Sequence, residues 1–89
     1  GLTGMVKSLA IDLAKRNIMV NSISPGPIKS DMVDRLVPEV DQVSIIESIP
    51  LRRLARPDEV ARFSYFLCSD ENTYLTGQNI IIDGGFTCR

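Results

Sequence analysis

Two short segments rich in β-branched residues limit what this chain can fold into: Ile18 to Ser24 and Gln78 to Asp83. Each is typical of a buried strand, and the second has Ile80, Ile81 and Ile82 at its centre, which suits full burial. The residues between the segments show helical periodicity, as expected for the long crossover that joins parallel strands. The order helix, strand, helical insert, helix, strand predicts an α/β fold, as the second half of a parallel sheet.

Two longer helices are predicted beside these strands. The first runs from Gly1 to Arg16 and ends in positive charge, which complements the helix dipole. It begins without a capping side chain, so we expect a helix cut within a longer polypeptide. The second starts at Pro57, a residue suited to the first helical position, and runs to about Ser69. The expected apolar sides are Leu2, Met5, Val6, Leu9 and Leu13 in the first helix, and Val60, Phe63, Ser64, Phe66 and Leu67 in the second.

The segment from Asn21 to Ser30 is the candidate functional stretch. Pro25 and Pro27 each fix φ near about −65°, which makes the turn stiff. Gly26 lies between them and lacks a Cβ, so a ligand could approach its backbone closely. In open α/β sheets, ligands bind at the carboxyl ends of strands, where this turn is placed. The alternative is an ordinary turn, because Pro-Gly pairs most often mark turns and nothing else.

Residues 30–50 form an insert of two short amphipathic helices. Ser30 is the predicted N-cap of the first helix, Pro38 ends it, and Glu39 to Ile49 forms the second. Such an insert is typical either of a flap that closes over a partly apolar substrate or of a peripheral helical hairpin. The residues expected on its apolar sides are Met32, Val33, Leu36, Val37, Val40, Val43, Ile46 and Ile49.

Three arginines, Arg52, Arg53 and Arg56, follow the insert. Guanidinium groups grouped in this way are suited to gripping a phosphate. Arginines near a surface are more often solvated or paired with carboxylates. The sequence leaves both interpretations open and favours the second.

Charge and composition exclude several classes of function. The 89 residues carry 10 basic and 11 acidic side chains, so no basic surface for nucleic acid is expected. No apolar run approaches the roughly 20 residues of a membrane span. The absence of histidine removes Ser-His-Asp catalysis and leaves a zinc site without ligands. Cys68 and Cys88 are interpreted as reduced thiols of an intracellular protein.

Taken together, these segments resemble the carboxyl-terminal part of the short-chain dehydrogenase/reductases, and most closely the 3-oxoacyl-[acyl-carrier-protein] reductases. The matching segments, in family order and spacing, are Val20 to Gly26, Ile28-x-Ser30, Pro57-x-Glu59-Val60-Ala61, Thr76-Gly77-Gln78 and Asp83-Gly84-Gly85. The resemblance covers essentially the whole chain. It implies that residues 1–89 are the carboxyl-terminal segment of a single Rossmann-like domain whose amino-terminal half is missing, with a lid at about residues 30–50.

The resemblance also implies site residues. The loop after the first strand would meet the nicotinamide end of NADP, with NAD as the alternative. Pro25 and Gly26 would line the ring, the Ile28 backbone would hydrogen-bond the carboxamide, and Ser30 would contact the carboxamide or the pyrophosphate. The lid residues Met32, Val33 and Leu36 would face the substrate.

Partners follow from the same resemblance. Lys15 and Arg16 end the helix that, in carrier-dependent members, helps to dock the acidic acyl carrier protein; ordinary helix termination is the alternative. The last helix and strand resemble the surfaces that pair subunits in family tetramers, so a homo-oligomer is expected. The expected location is the cytoplasm, or an organelle matrix if the missing part carries a transit peptide.

The family's catalytic serine and its Tyr-x-x-x-Lys pair have no counterpart in these residues, so the chain alone is expected to hold no catalytic residue. The predicted function is that of a segment of an NAD(P)-dependent oxidoreductase that interconverts a ketone and a secondary alcohol in fatty-acid synthesis. The alternatives are a dehydrogenase of another small alcohol or sugar, a non-catalytic fragment that self-associates through strand edges, and a binding module for a phosphate ligand.

Overall fold

The computed structural model describes residues 1–89 and has the predicted order of elements. The helices and strands are α1 (Leu2–Ala14), β1 (Ser22–Pro25), α2 (Asp31–Leu36), α3 (Glu39–Ser48), α4 (Pro57–Cys68) and β2 (Asn79–Ile82), followed by a 3₁₀ turn at Phe86–Cys88. None of the helices is long and apolar enough to cross a membrane.

The two strands pair in parallel. The Ser22 N–H donates to the Gln78 carbonyl at 2.9 Å, and the Gly26 N–H donates to the Ile82 carbonyl at 2.8 Å. Both partners advance in the same direction along the chain, which is the parallel register. The predicted α/β fold is therefore confirmed.

The chain forms two compact units, residues 1–24 with 63–81 and residues 25–62 with 82–89. In the first unit, Val6 and Ala10 of α1 are buried. Asn72 is also buried, and its amide group donates to the Leu67 and Leu75 carbonyls at 3.1 and 3.0 Å. The Asn72 side-chain oxygen accepts the Leu75 N–H at 3.0 Å, so this side chain fixes the turn after α4. The inward side predicted for α4 is confirmed, since Phe63 and Leu67 are half-buried and Tyr65 is exposed.

The first strand is shorter than predicted, because side chains replace the ladder at its start. Asn17 adopts a left-handed φ of 58° and ends α1. The Val20 N–H then donates to the Thr76 hydroxyl at 2.9 Å. The Asn21 side chain bonds the Leu75 carbonyl and the Gln78 N–H at 2.9 and 3.1 Å. Regular pairing therefore begins only at Ser22.

Two further predictions for the first unit differ from the structure. Helix α1 ends at Ala14 with Lys15 as its C-cap in helical conformation, so it is two residues shorter than predicted. Full burial of the isoleucine run is also wrong, because Ile81 is 52% exposed. Alternate residues of a strand point to opposite faces, and Ile81 points away from the face shared by Ile80 and Ile82. On α1, the predicted apolar side is only partly buried: Leu2, Met5 and Leu9 are exposed.

In the second unit, the insert is a pair of linked helices. The predicted cap is confirmed: the Ser30 hydroxyl accepts the Val33 N–H at 3.1 Å. The Gln42 amide of α3 donates to the carbonyls of Val33 and Val37 at 3.3 and 2.9 Å, which fastens α3 to the end of α2. Ile49 is buried at 2% exposure. The rest of the predicted apolar side is largely wrong, since Met32, Leu36, Val40 and Val43 are exposed.

Candidate functional site

The loop at the carboxyl end of β1 is held by Asp83. A Cβ at position 26 would lie 2.8 Å from the Asp83 Cβ and 2.9 Å from its Cα. Side chains do not tolerate such distances, so position 26 requires glycine for packing. The space left by the missing Cβ is filled by the protein itself and not by a ligand, which corrects the interpretation drawn from the sequence.

Ile28 lies in an extended segment that pairs with Ala55 through a parallel bridge. The bridge uses the Pro27 carbonyl, which accepts the Ala55 N–H at 3.0 Å, and the Lys29 N–H, which donates to the Ala55 carbonyl at 2.9 Å. In this pattern, the N–H and C=O of the middle residue point to the opposite edge. The Ile28 backbone therefore presents one donor and one acceptor on the edge that faces away from Ala55.

Ser30 follows the extended segment and is half-buried. Its oxygen accepts the Val33 N–H as the cap of α2. A hydroxyl has one proton and two lone pairs, so capping leaves the Ser30 proton available as a donor. The predicted contact with a cofactor oxygen is compatible with this arrangement.

A cavity of about 100 Å³ lies behind the loop in the second unit. Its walls include Pro27, Ile49, Leu51, Ala55 and Gly84. Pockets for drug-sized ligands are typically about 300–1,000 Å³, so this space cannot enclose a dinucleotide. These residues can therefore line a cofactor site but do not close one.

Each of the three arginines after the insert bonds to another group of the protein. Arg53 binds both oxygens of Glu59, at 2.7 and 2.9 Å. Arg56 pairs with Asp58 at 3.2 Å, and Arg52 donates to the Glu47 carbonyl at 2.6 Å. The favoured interpretation, pairing with carboxylates, is confirmed for Arg53 and Arg56.

The Arg53–Glu59 pair leads to a prediction about titration. Hydrogen bonds from the Arg53 guanidinium and the Arg56 N–H lower the pKa of Glu59 from 4.5 to about 2. Because the folded-state pKa is depressed, the stabilisation is present above the unfolded-state value and is lost as pH falls through about 2. We expect Arg53→Met to raise the pKa of Glu59 towards 4.5, measured by carbon-detected NMR of the carboxyl group.

Arg62→Met is the matched control for that titration. It removes the Arg62–Asp58 pair, whose atoms lie 2.7 Å apart, and leaves the Glu59 contacts intact. The pKa of Glu59 should not move in this variant. If the pKa of Glu59 were the same in the Arg53→Met variant and in the unsubstituted protein, Arg53 would not be the main cause of the lowered pKa.

Asp83 is a residue whose role the sequence did not reveal. Its carboxylate accepts the Gly85 N–H at 3.0 Å and the Thr87 N–H at 2.9 Å. Burial raises the pKa of Asp83, but hydrogen bonds from Thr87, Gly85 and Phe86 outweigh this effect, so the pKa lies below its ordinary value. The Asp-Gly-Gly sequence was a signal for a turn, but only the structure shows what the turn contacts.

The other predicted site residues are placed as follows. Met32 and Leu36 are 63% and 74% exposed on the outer side of α2, whereas Val33 is half-buried. Two of the three predicted lid residues are therefore exposed, and the third is partly covered. Lys15 and Arg16 are exposed, and neither has an ion-pair partner. No group of His, Cys, Asp and Glu side chains is arranged to hold a metal ion.

Comparison with known proteins gives consistent matches. A family model described as enoyl-(acyl carrier protein) reductase matches residues 1–87. The 3-oxoacyl-[acyl-carrier-protein] reductase of Thermotoga maritima is 48% identical over 85 residues, which cover 96% of this chain and 34% of that protein. The chain thus spans about a third of the length of the curated relatives it matches.

Comparison with solved structures gives matches of the same kind. A short-chain dehydrogenase from Bacillus anthracis superimposes with a TM-score of 0.81 at 39% identity, covering 98% of this chain and 34% of that one. A 4-hydroxyisoleucine dehydrogenase mutant, solved in complex with NADH and succinate, gives a TM-score of 0.86 at 34% identity, covering 99% of this chain and 37% of that one.

Proposed function

The chain belongs to the short-chain dehydrogenase/reductase family, and we propose that it supplies the nicotinamide-facing loop and the substrate lid of an NAD(P)-dependent reductase. Joined to the amino-terminal part of such an enzyme, it would complete a site that reduces the ketone of a 3-oxoacyl thioester to a secondary alcohol. The cofactor supplies the hydride in this reaction. The chain's own task is to orient the cofactor and to exclude water.

The observation that carries the proposal is the backbone of Ile28. Its N–H and C=O are directed away from the bridge with Ala55, within a loop fixed by two prolines. A nicotinamide carboxamide offers one acceptor and one donor group, which complements this pair. Rigid placement of these groups would hold the ring without a cost in loop ordering.

The choice of substrate and nucleotide has separate support. The Thermotoga maritima relative is named as a 3-oxoacyl-[acyl-carrier-protein] reductase, which favours a 3-oxoacyl thioester over an alcohol or sugar. The description of the family model favours an enoyl thioester as the second candidate. We propose NADPH as the cofactor by similarity to the first group, with NADH as the alternative because a structural neighbour binds it.

A chimera tests this function. The amino-terminal part of the Thermotoga maritima reductase is joined, at the aligned position, to this chain. We expect the chimera to oxidise NADPH with a 3-oxoacyl thioester and to be at least about tenfold less active with NADH or with an enoyl thioester. A Tyr→Phe variant in the relative's Tyr-x-x-x-Lys pair is the inactive control, because it cannot transfer the proton.

The same sample gives the number of subunits by native mass spectrometry. Tyr65 and Ile81 on the last helix and strand are 78% and 52% exposed, so both are available for subunit contacts, and we propose a tetramer formed through these elements. A folded chimera that binds neither nucleotide would contradict the proposed function. It would favour the self-associating, non-catalytic alternative if the 89-residue chain alone forms defined oligomers.

Lys15 and Arg16 lead to a prediction about the carrier protein. Both are exposed and free of ion pairs, so their charge is available to an acidic partner. In the chimera, we expect Lys15→Glu with Arg16→Glu to raise KM for a carrier-linked 3-oxoacyl substrate about five- to tenfold at low salt. The effect should shrink at high salt, and KM for a short thioester without the carrier should not change. Equal KM changes for both substrates would exclude docking at these residues.

A further inference from the structure

We propose that the turn Asp83-Gly84-Gly85 is the positioning element of this site, because it anchors both the loop that leads into the helical insert and the end of that insert. The nicotinamide-facing loop and the lid would then be held by the same three residues. This inference rests on the proposed function for its consequence in catalysis, and on contacts within the second unit for its structural content.

The loop that leads into the insert meets the turn at Gly26. The Gly26 N–H donates to the Ile82 carbonyl at 2.8 Å, directly before the turn. The backbone of Gly26 packs against Asp83 so closely that a Cβ would lie 2.9 Å from the Asp83 Cα. This contact fixes where the loop leaves the strand.

The carboxyl end of the insert meets the same turn. The Leu51 N–H donates to the Gly84 carbonyl at 3.1 Å. A Cβ on Gly84 would lie 2.9 Å from the Ile49 Cγ2, and one on Gly85 would lie 3.0 Å from the Pro50 Cγ. Both glycines have positive φ, 63° and 93°, so the turn combines a conformation and a closeness that other residues would strain.

The Asp83 carboxylate gives the turn its shape. One oxygen accepts the Gly85 N–H and the other accepts the Thr87 N–H, while the Asp83 carbonyl accepts the Phe86 N–H at 3.1 Å. Asp83 forms no ion pair. Its charge therefore stabilises these N–H groups, and we assign Asp83 as a positioning residue that acts through the turn on the loop before the insert and on the insert's carboxyl end.

Amide hydrogen exchange in the Asp83→Asn variant of the chimera tests whether the turn anchors both segments. Asparagine keeps one acceptor but presents an NH₂ group to one of the two N–H donors, which opens the turn. We expect exchange at the Gly26 and Leu51 amides to rise together, by about tenfold, since a hydrogen bond to a charged group is lost. Asp34→Asn is the matched control: Asp34 is exposed on α2, bonds Lys29 at 3.2 Å, and should leave both amides unchanged.

A second variant covers the case in which Asp83→Asn does not fold. Deletion of Thr87 to Arg89 removes the backbone and side-chain donors of Thr87 to the carboxylate and leaves Asp83 in place. The same two amides should then exchange about threefold faster. Faster exchange at only one of them, or at neither, in whichever variant folds, would overturn the shared anchor.

Kinetics of the chimera show whether the anchor matters to the site. Asp83→Asn should lower kcat/KM for NADPH and kcat/KM for the 3-oxoacyl substrate by a similar factor, about tenfold. Loss of a residue that contacts only one of these ligands would lower kcat/KM for that ligand alone. Unequal changes would overturn the positioning role. Amide exchange can be measured in an inactive protein. If the chimera without substitutions had no activity, this would count against the proposed function and not against the anchor.

Discussion

Replacing Gly26 with alanine is expected to destabilise the protein by about 2–3 kcal/mol and to weaken NADPH binding at least about tenfold, as for overpacking at a rigid site. The new Cβ would lie 2.8 and 2.9 Å from the Cβ and Cα of Asp83. One of these atoms belongs to the backbone, so no side-chain rotation relieves the clash. The loop must move instead, and this movement breaks the hydrogen bond from the Gly26 N–H to the Ile82 carbonyl.

Gly4→Ala is the matched control for this change. Position 4 lies within α1, and a Cβ there would meet no atom within 4 Å apart from the backbone of its own helix. Alanine in a helix interior is favoured over glycine by roughly 0.5–1 kcal/mol, so this variant should be slightly more stable. Urea denaturation and NADPH titration of both chimeras make the comparison. Equal behaviour of the two variants would show that Asp83 does not confine the loop.

Replacing Asn72 with aspartate is expected to cost about 2–4 kcal/mol, because it removes two buried donors and places a charge near two carbonyl oxygens. Asn72 is 3% exposed, and its amide group donates to the carbonyls of Leu67 and Leu75. Aspartate can still accept the Leu75 N–H, so the accepted bond is kept while the two donated bonds are lost. Urea denaturation of the chimera measures the loss.

Asn79→Asp provides the comparison for Asn72. The Asn79 side-chain oxygen accepts the hydroxyls of Ser22 and Ser24, at 2.8 and 3.0 Å. A carboxylate can accept both, so this variant should change stability by no more than about 0.5 kcal/mol. If the two variants were equally destabilised, the cost would come from introducing a charge and not from the lost donors.

The sequence predicts well those features that depend on local chemistry. The cap at Ser30 and the start of α4 at Pro57 follow from side-chain and ring geometry within one turn, and both are present. The order of the elements follows from periodicity in the same way. These features need no knowledge of what packs against the segment.

Features that depend on distant residues could not be predicted in this way. The late start of β1 arises because Thr76 and Leu75 bind the residues before it. Likewise, a glycine between two prolines suggests room for a ligand, but only the structure shows Asp83 in that space. The role of Asp83 does not follow from the sequence because Gly26, which packs against it, is remote in sequence.

Removing the Ile28 N–H tests most directly whether this loop binds the nicotinamide. Proline at position 28 deletes this donor, while the bridge to Ala55 uses groups of Pro27 and Lys29 and can persist. Alanine at the same position shortens the side chain but keeps the N–H. The chimera carrying each variant is compared by its KM for NADPH, with urea denaturation to confirm equal stability.

We expect Ile28→Pro to raise KM for NADPH about five- to tenfold over Ile28→Ala, the effect of one lost hydrogen bond. The two variants should unfold at the same urea concentration. The same KM for NADPH in both, at equal stability, would show that the Ile28 backbone does not bind the cofactor and would contradict the assignment of this loop.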